Sequence, residues 1–368
     1  MKIGLNATCF NDRPSGANQR FFGIYGELIP DTEFIVYEPV DCKVGTWFNE
    51  APNVSVRCTP IPSEGRIRKV VSKFGYWGKA IRNEGLDLLE GFNLPLENLP
   101  KGKTLLTVHD VRRMYSDWGS VLERVAYRAI IGKTLRAADH VITVSQSMKE
   151  EILGFYPDIP ISVVFNGLNA SKFDHVSVSD QQAFRLKYSL PAEFVLSVGH
   201  LEKRKNYLNL IDAISLLRDQ GRSCYLVIIG NDSGEGLVIK EKIEQLNLSG
   251  YVKILSGLSD LEVRCAYKLS QLFIFPSSYE GFGIPILEAM AADCPIVLSD
   301  IPVFREITQG QGAYFSHDQP ESIARVINEV LSSSCEIERL IKYGNKRVQD
   351  FGFKKIAGDL ADVYKSIL

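Results

Sequence analysis

Residues 272–299 read LFIFPSSYEGFGIPILEAMAADCPIVLS, and this stretch decides the fold class of the chain. Two short apolar runs, Leu272–Pro276 and Pro295–Ser299, flank a segment in which Ile286–Ala292 has the apolar spacing of a helix. A strand, a helix and a second strand in this order predict a βαβ unit of a parallel sheet. The same alternation recurs along the whole chain, so we predict an α/β protein.

The strand-like runs form two series, which predicts two doubly wound parallel sheets. The first series is Lys2–Asn6, Phe34–Glu38, Asp87–Gly91, Thr104–Val108, His140–Val144 and Ile161–Phe165, and the second adds Phe194–Val198, Tyr225–Gly230 and Val252–Ser256 to the two runs above. The polar stretch Asn166–Asp180 separates them and is typical of a linker. We therefore expect one domain over residues 1–172 and another over 173–352, with a final helix at 353–368 packing back on the first.

Composition excludes several classes of protein. The 368 residues are 45% hydrophobic and 23% charged, and the net charge of −2 gives no overall attraction to a nucleic acid. The seven cysteines include no C-x-x-C pair, which argues against a disulfide framework or a zinc ribbon. Neither a secretion signal nor an apolar run of about 20 residues is present, so we expect a cytoplasmic protein.

The segment Pro276–Ala292 carries two carboxylates, Glu280 and Glu288, beside glycines at 281 and 283. The glycines allow close approach of the backbone, and the free amides at the start of the following helix favour a phosphate. Carboxylates beside a phosphate site make sense if they accept hydrogen bonds from hydroxyls, and a sugar nucleotide supplies both groups. The plainer alternative is that Glu288 complements the helix dipole in the first turn and Glu280 is a solvated loop residue.

A basic triplet, Lys203, Arg204 and Lys205, follows the strand Phe194–Val198 and precedes a helix that Asn206 can cap. Cations at a strand end are well placed to hold a diphosphate and to stabilise the charge of a leaving nucleoside diphosphate. The alternative is a solvated run of charges.

The first domain offers weaker signals. A loop containing Gly16 follows the first strand, but the G-x-G-x-x-G fingerprint is missing there, which argues against a dinucleotide dehydrogenase. His109 directly follows the strand Thr104–Val108, where it can contact a ligand or serve a structural role. We expect Ser145 to be only a helix cap.

The segment Gly65–Asn83 has six cations and no acidic residue, with Phe74, Tyr76 and Trp77 interspersed. This composition suits peripheral contact with the cytoplasmic face of the inner membrane, and a solvated helix face is the alternative.

With these residues identified, the chain resembles the retaining glycosyltransferases of family 4, which have the GT-B fold of two Rossmann-like domains facing a central cleft. The resemblance covers essentially the whole chain. It rests on SGANQRF, TVHD, VSQSMKEEI, VVFNGLNASKF, VGHLEKRKN and, above all, the E-x7-E signature in FPSSYEGFGIPILEAMAADCPIV.

The resemblance implies a role for each matching residue. Glu280 contacts the donor sugar and Glu288 holds the ribose, while Arg204 and Lys205 bind the diphosphate. The remaining assignments are backbone contacts from Gly281, Phe282 and Gly283, contact of His109 with the transferred sugar, and contact of Gly16 with donor and acceptor. Two positions depart from the family pattern: His200 stands where many relatives have Arg, and Glu90 where relatives often have His.

The reaction implied is transfer of a sugar from a nucleotide diphosphosugar to an acceptor hydroxyl with retention at the anomeric carbon. Similarity to bacterial mannosyltransferases of surface-polysaccharide assembly favours GDP-mannose and a glycan or lipid-linked acceptor, and UDP-sugars stay open. No metal or other cofactor is expected, because no D-x-D cluster stands at a strand end. A sugar-nucleotide epimerase and a non-catalytic sugar-nucleotide-binding protein are the rival hypotheses from other classes.

Overall fold

The structure is a computed structural model that describes residues 1–11, 15–28, 30, 32–48, 51–73, 76–82, 84–92, 99, 101–115 and 120–368. Contacts divide the chain into two compact units. The first unit comprises 1–168 and 353–368, and the second comprises 169–352. The boundary thus lies between 168 and 169, where the sequence analysis sets it between 172 and 173.

The first unit is built on a seven-stranded parallel sheet of order β3-β2-β1-β4-β5-β6-β7. Its strands are β1 Lys2–Asn6, β2 Glu33–Glu38, β3 Val54–Cys58, β4 Leu88–Gly91, β5 Lys103–Val108, β6 His140–Thr143 and β7 Ile161–Val163. Its α-helices are α1 Gly16–Leu28, α2 Arg66–Lys73, α3 Trp77–Ala80, α4 Val121–Ala137, α5 Gln146–Phe155 and α14 Phe353–Ile367.

The second unit contains a six-stranded parallel sheet of order β10-β9-β8-β11-β12-β13. Its strands are β8 Val195–Val198, β9 Leu226–Ile229, β10 Val252–Leu255, β11 Leu272–Phe275, β12 Ile296–Ser299 and β13 Ala313–Phe315. Its α-helices are α6 Val178–Lys187, α7 Tyr207–Asp219, α8 Gly236–Gln245, α9 Asp260–Leu269, α10 Ile284–Ala291, α11 Pro302–Ile307, α12 Pro320–Leu331 and α13 Ser334–Arg347. The predicted α/β class with two Rossmann-like sheets is confirmed.

Sequence analysis missed two strands, β3 and β13, and both lie at the edge of their sheet. β3 is largely exposed, and β13 is only three residues long. An edge strand has one neighbour, so it does not need the continuous apolar run by which the central strands are recognised.

Each sheet reverses its strand order once, between β1 and β4 in the first unit and between β8 and β11 in the second. Open α/β sheets bind ligands outside the carboxyl ends of their strands at such a switch point. In each unit, a ligand is therefore expected near the loops that follow the two strands at its own switch point.

The last helix, α14, belongs to the core of the first unit. Ile356, Leu360 and Tyr364 are buried there against residues of β1, β2 and α1. The ring of Phe353 lies where a Cβ on Gly23 of α1 would be, only 2.3 Å from the ring's Cζ. A glycine in α1 thus lets the two helices approach closely.

Glu90, at the end of β4, is fully buried beneath these helices. Its carboxyl group accepts hydrogen bonds from the hydroxyls of Tyr25, Thr107 and Tyr364, each at 2.6 Å. Burial raises the pKa of Glu90, although the three hydroxyls and the charge of Arg20 oppose that rise. Glu90 therefore joins α1, β5 and α14 within the core.

The segment 65–83 forms α2 and α3. Trp77 is buried in a core cluster with Tyr37, and Tyr76 packs against that cluster. Trp77 is therefore a core residue, and its ring packs with residues of β2 and β4. Membrane contact through the segment stays a prediction. Phe74, Gly75 and Asn83 lie outside the described residues.

Within the described parts of the chain, no helix has both the length and the apolar character that crossing a bilayer requires.

Candidate active site

Two loops at the switch point of the six-stranded sheet form the candidate site. The 3₁₀ turn Lys203–Lys205 follows β8, and the loop that contains Glu280 follows β11. The amide of Ser278 donates to the carbonyl of Arg204 at 2.8 Å, and Nη1 of Arg204 donates to the carbonyl of Tyr279 at 3.1 Å. These bonds hold together two loops that are 75 residues apart in sequence.

Glu280 lies between the two cations of the turn. Its Oε1 accepts from Nζ of Lys205 at 2.7 Å, and its Oε2 is 2.5 Å from Nη1 of Arg204. Burial alone would raise the pKa of Glu280, but the charges of Lys205 and Arg204 bring it to about 2. The carboxylate is therefore ionised and fixed in orientation at neutral pH.

Lys205 is itself buried, with 7% of its side chain exposed. Its Nζ lies 4.6 Å from the centroid of the Phe275 ring, and burial lowers its pKa while Glu280 opposes that shift. Gly199 at the end of β8 has φ +156°, and a Cβ there would lie 2.9 Å from Cε of Lys205. Glycine at this position thus leaves the space that the lysine occupies.

The helix α10 begins directly after the second glycine of the loop. Gly283 has φ +145°, in the region that favours glycine, and Pro285 fits the first turn because it needs no amide partner. Phe282 is buried against the ring of Phe351. The backbone at 281–283 is thereby held at the start of the helix.

Glu288 is the fifth residue of α10, so it lies beyond the first turn. Its Oε2 accepts a hydrogen bond from the hydroxyl of Tyr267 at 3.0 Å, and Tyr267 is fully buried. Burial and the neighbouring Glu288 carboxylate raise the pKa of Tyr267 well above its usual value. Position and partner both argue against a role for Glu288 as a complement to the helix dipole.

The basic triplet separates into two kinds of residue. Lys203 is exposed, as the solvated alternative expects, whereas Arg204 and Lys205 point into the ion cluster. The predicted cap by Asn206 is wrong: Asn206 adopts the left-handed conformation and its Nδ2 donates to the carbonyl of His317 at 2.5 Å. Its side chain thus donates to a distant backbone carbonyl and does not accept from a local amide, as a cap would.

The first-domain candidates lie in the first unit. Gly16 is the first residue of α1, and Ser15 caps that helix by accepting from the amide of Asn18 at 3.1 Å. His109 follows β5 and is partly buried; burial lowers its pKa to about 3, and the charge of Arg20 acts in the same direction. His109 is therefore neutral at physiological pH.

The cap role of Ser145 is confirmed, because its hydroxyl oxygen accepts a hydrogen bond from the amide of Met148 at 3.1 Å.

Sequence reasoning missed two residues of the site. Glu202 pairs with Nη2 of Arg204 at 2.6 Å, and its position next to the basic triplet was the available signal. Tyr267 comes from α9, and nothing in the local sequence connects it with Glu288.

Fold and geometry together define a two-domain α/β protein with a cluster of buried charges at the switch point of its second sheet. Two family models match the chain: "Glycosyltransferase Family 4" over residues 39–172 and "Glycosyl transferases group 1" over residues 179–347. The matches follow each other and together span most of the sequence. The chain belongs to the family 4 glycosyltransferases with the GT-B fold.

Relatives with assigned activities include bacterial mannosyltransferases. The chain is 28% identical over 240 residues to the O-antigen chain mannosyltransferase RfbU of Salmonella typhimurium. This alignment covers 65% of this chain and 64% of that protein. It is 33% identical over 254 residues to the serotype-specific mannosyltransferase WbdA of Escherichia coli, and this alignment covers 66% of this chain and 31% of that protein. The alignments thus span less than two thirds of either relative.

Solved structures share the fold over nearly the full length. A glycosyltransferase from Rickettsia africae superposes with a TM-score of 0.75 at 19% identity, covering 100% of this chain and 98% of that one. WaaG, a glycosyltransferase involved in lipopolysaccharide biosynthesis, gives 0.74 at 15% identity, and Anabaena HepE in complex with UDP and glucose gives 0.76 at 17%; both cover 99% of each chain.

Proposed function

We propose that this glycosyltransferase is a retaining enzyme that transfers mannose from GDP-mannose to a glycan or lipid-linked saccharide in bacterial surface-polysaccharide synthesis. The observation that carries the proposal is the buried cluster of Glu280, Arg204 and Lys205 at the switch point of the second sheet. The mannosyltransferase relatives RfbU and WbdA favour mannose as the sugar.

The cluster has the chemistry that a sugar diphosphate needs. The ammonium of Lys205 and the guanidinium of Arg204 both carry positive charge. These charges at the end of β8 would attract and bind the diphosphate. The ionised Glu280 would accept hydrogen bonds from sugar hydroxyls, and Glu288, oriented by Tyr267, would accept them from the ribose.

In the proposed reaction the acceptor oxygen bonds to the anomeric carbon on the face from which the phosphate oxygen departs. The bonding pair of the broken C–O bond goes to the diphosphate, whose oxygen takes the proton of the acceptor hydroxyl. Arg204 and Lys205 would stabilise the negative charge that grows on the leaving group. His109, neutral at physiological pH, would donate a hydrogen bond to the transferred sugar.

A thermal-shift screen against GDP, UDP, ADP and their sugars tests the donor, because a ligand that binds only the folded state raises its stability. We expect selective stabilisation by GDP and GDP-mannose. The shift should be lost in Lys205→Ala and Glu288→Ala, each compared with its own unliganded melting temperature. Lys203→Ala is the matched control, since this exposed neighbour in the same triplet should keep the full shift.

UDP-sugars are the second candidate donor, because the fold neighbour HepE was solved with UDP and with UDP-glucose. Stabilisation by UDP and not by GDP would replace the GDP-mannose proposal with this one. Stabilisation by no nucleotide would contradict the donor site itself.

The proposed chemistry uses no metal, because Arg204 and Lys205 supply the positive charge. Adding EDTA should therefore leave the nucleotide-induced shift and the transfer rate unchanged, and loss of either would contradict this part of the proposal. Product analysis without acceptor separates transfer from epimerisation, since only an epimerase would convert the nucleotide sugar alone.

A further inference from the structure

The guanidinium of Arg204 is held between two carboxylates. Its Nη1 is 2.5 Å from Oε2 of Glu280, which belongs to the loop after β11. Its Nη2 is 2.6 Å from Oε1 of Glu202, which directly precedes the 3₁₀ turn. Nη1 also donates to the carbonyl of Tyr279 at 3.1 Å. Both terminal nitrogens of the arginine are therefore engaged by oxygen atoms of the protein.

The terminal nitrogens of an arginine are also the atoms with which it binds a phosphate group in a fork. A diphosphate that binds to Arg204 therefore meets two negative charges that already lie on the guanidinium. These groups are largely removed from water, with 21% of the Arg204 side chain and 19% of the Glu202 side chain exposed. Repulsion between a carboxylate and a phosphate is screened less in such a place than at an open surface. Binding of the diphosphate to Arg204 thus competes with the pairing of the carboxylates.

The two carboxylates differ in how firmly they are held. Glu280 accepts a hydrogen bond from Lys205 at 2.7 Å in addition to its pairing with Arg204. Its loop is tied to the turn by the hydrogen bond from the amide of Ser278 to the carbonyl of Arg204. The exposed fraction of the side chain is 19% for Glu202 and 11% for Glu280. Glu202 is therefore the carboxylate that can turn toward water at the lower cost.

The backbone of Glu202 is fixed independently of its side chain. Its amide donates to the carbonyl of His200, and its carbonyl accepts from the amide of Lys205, both at 2.9 Å. These bonds shape the turn that carries the two cations, and neither involves an atom of the carboxylate. Release of the carboxylate from Arg204 thus leaves the turn in place, and the carboxylate can pair again when a ligand departs.

We propose that Glu202 is an exchangeable counter-ion of Arg204, which it gives up to the diphosphate of an arriving nucleotide sugar and regains as the nucleoside diphosphate leaves. The inference rests on the proposed donor site and deepens it, because it assigns a residue to nucleotide release. Glu202 acts on the ligand through Arg204, so it is a positioning residue and not a catalytic one. Its competition with the diphosphate weakens the binding of the product, and product release limits the turnover of many enzymes.

Calorimetric titration of the full chain with GDP, UDP and ADP tests the proposal. Glu202→Gln keeps an oxygen that can accept a hydrogen bond from Arg204 but removes the negative charge. We expect this variant to bind the nucleoside diphosphate that wild type prefers about tenfold more tightly. The matching nucleoside, which has no phosphate, should bind to both proteins equally.

The dissociation rate provides a readout that a merely structural ion pair would not change. A fluorescent N-methylanthraniloyl derivative of the preferred nucleoside diphosphate is bound and then displaced by an excess of the unlabelled nucleotide in a stopped-flow instrument. Displacement from Glu202→Gln should be about tenfold slower than from wild type, because changes in affinity at one site lie mainly in the dissociation rate. A pair that only stabilises the fold would lower the melting temperature of the variant and leave this rate unchanged.

Glu336→Gln is the matched control. Glu336 pairs with Nη2 of Arg339 on α13 at 2.6 Å, the same distance as in the pair of Glu202 and Arg204. This variant should bind and release the nucleotide like wild type. Glu202→Asp retains the charge on a shorter side chain, so its affinity should lie between those of wild type and Glu202→Gln. If Glu202→Gln fails to fold, as judged by circular dichroism, the displacement rate of Glu202→Asp decides.

The possible results separate this inference from the proposed function. Binding by Glu202→Gln that is equal to or weaker than that of wild type would overturn the inference while the donor site stands. The same holds for an equal gain in Glu336→Gln or an equal gain for the matching nucleoside. Wild type that binds none of GDP, UDP and ADP would instead overturn the proposed function and this inference together.

Discussion

At the scale of single residues, two buried carboxyl groups show how partners set the direction of a pKa shift. Glu280 faces two cations, and its pKa is about 2. Glu90 faces three neutral hydroxyls, and burial raises its pKa. Charged partners offset the loss of water around a carboxylate, whereas hydroxyls do so only in part. Glu280 is thus ionised within a cluster of charges, whereas Glu90 joins elements of a core.

The Glu280 cluster predicts a dependence of stability on pH. Between an unfolded-state pKa of 4.5 and the folded value of about 2, the unfolded chain binds the proton more tightly, so stability falls as pH falls. We expect the difference in unfolding free energy between wild type and Glu280→Gln to be full above about pH 4.5 and to shrink below it. Urea denaturation at several pH values checks this; a constant difference would contradict the assigned ion pairs.

The hydrogen bonds around Glu90 predict that removing one of the hydroxyls lowers stability. Tyr364→Phe removes one hydrogen bond to a buried carboxyl group, which should cost about 1–2 kcal/mol. Tyr343→Phe, which removes a longer 3.3 Å bond at the surface of α13, is the control and should be close to neutral. Equal effects of the two substitutions in urea denaturation would argue against the Glu90 network.

At the scale of elements, the contact between α1 and α14 depends on one glycine. A Cβ on Gly23 would overlap the ring of Phe353, whereas a Cβ on Gly26 of the same helix meets nothing within 4 Å. We expect Gly23→Ala to destabilise the first unit by about 2 kcal/mol or more through overpacking. Gly26→Ala should stabilise it by up to about 1 kcal/mol through helix propensity. Thermal denaturation of both variants measures the contrast, and a stabilising Gly23→Ala would show that the helices do not pack as described.

The close approach of the turns that end β8 and β9 also requires a glycine, at position 230. A Cβ on Gly230 would lie 1.9 Å from the carbonyl oxygen of Gly199, the residue beside Lys205. Gly230→Ala should therefore both destabilise the second unit and weaken nucleotide binding, because it displaces the strand end that carries the cations. Gly250→Ala, with open space around its Cβ, serves as the control. Normal nucleotide-induced shifts in Gly230→Ala would separate this strand end from the site.

At the scale of the whole molecule, both ends of the chain build the first unit, while the second unit is one continuous stretch. Removing residues 353–368 should expose the core around Ile356, Leu360 and Tyr364, at about 1.5–3 kcal/mol for each large side chain. That loss is comparable to the whole stability of a typical domain. Hydrogen exchange should show loss of protection in β1, β2 and β4, with β8–β13 and the nucleotide-induced shift retained; protection kept throughout the first unit would contradict a core role for α14.

Local sequence identified the central strands well, because they are covered on both faces and their residues are apolar almost throughout. It failed where a residue's role depends on distant partners. Asn is a residue type that caps helices, but the side chain of Asn206 donates to the carbonyl of His317. Trp77 stands among cations in the sequence, but its side chain is buried in a core cluster. Glu90 stands where relatives often have His, and its three hydroxyl partners come from other elements of the unit.

The sequence by itself determined the α/β class, the two series of strands and the residues that end β8 and β11, because periodicity and glycine placement act over a few neighbouring residues. Only the tertiary structure decided that Glu280 pairs with Arg204 and Lys205 and that Tyr267 orients Glu288. The physical reason is that burial and ion pairing depend on which strands are neighbours in a sheet. The strand order is a property of the folded chain, because β8 and β11 are neighbours in the sheet although β9 and β10 lie between them in sequence.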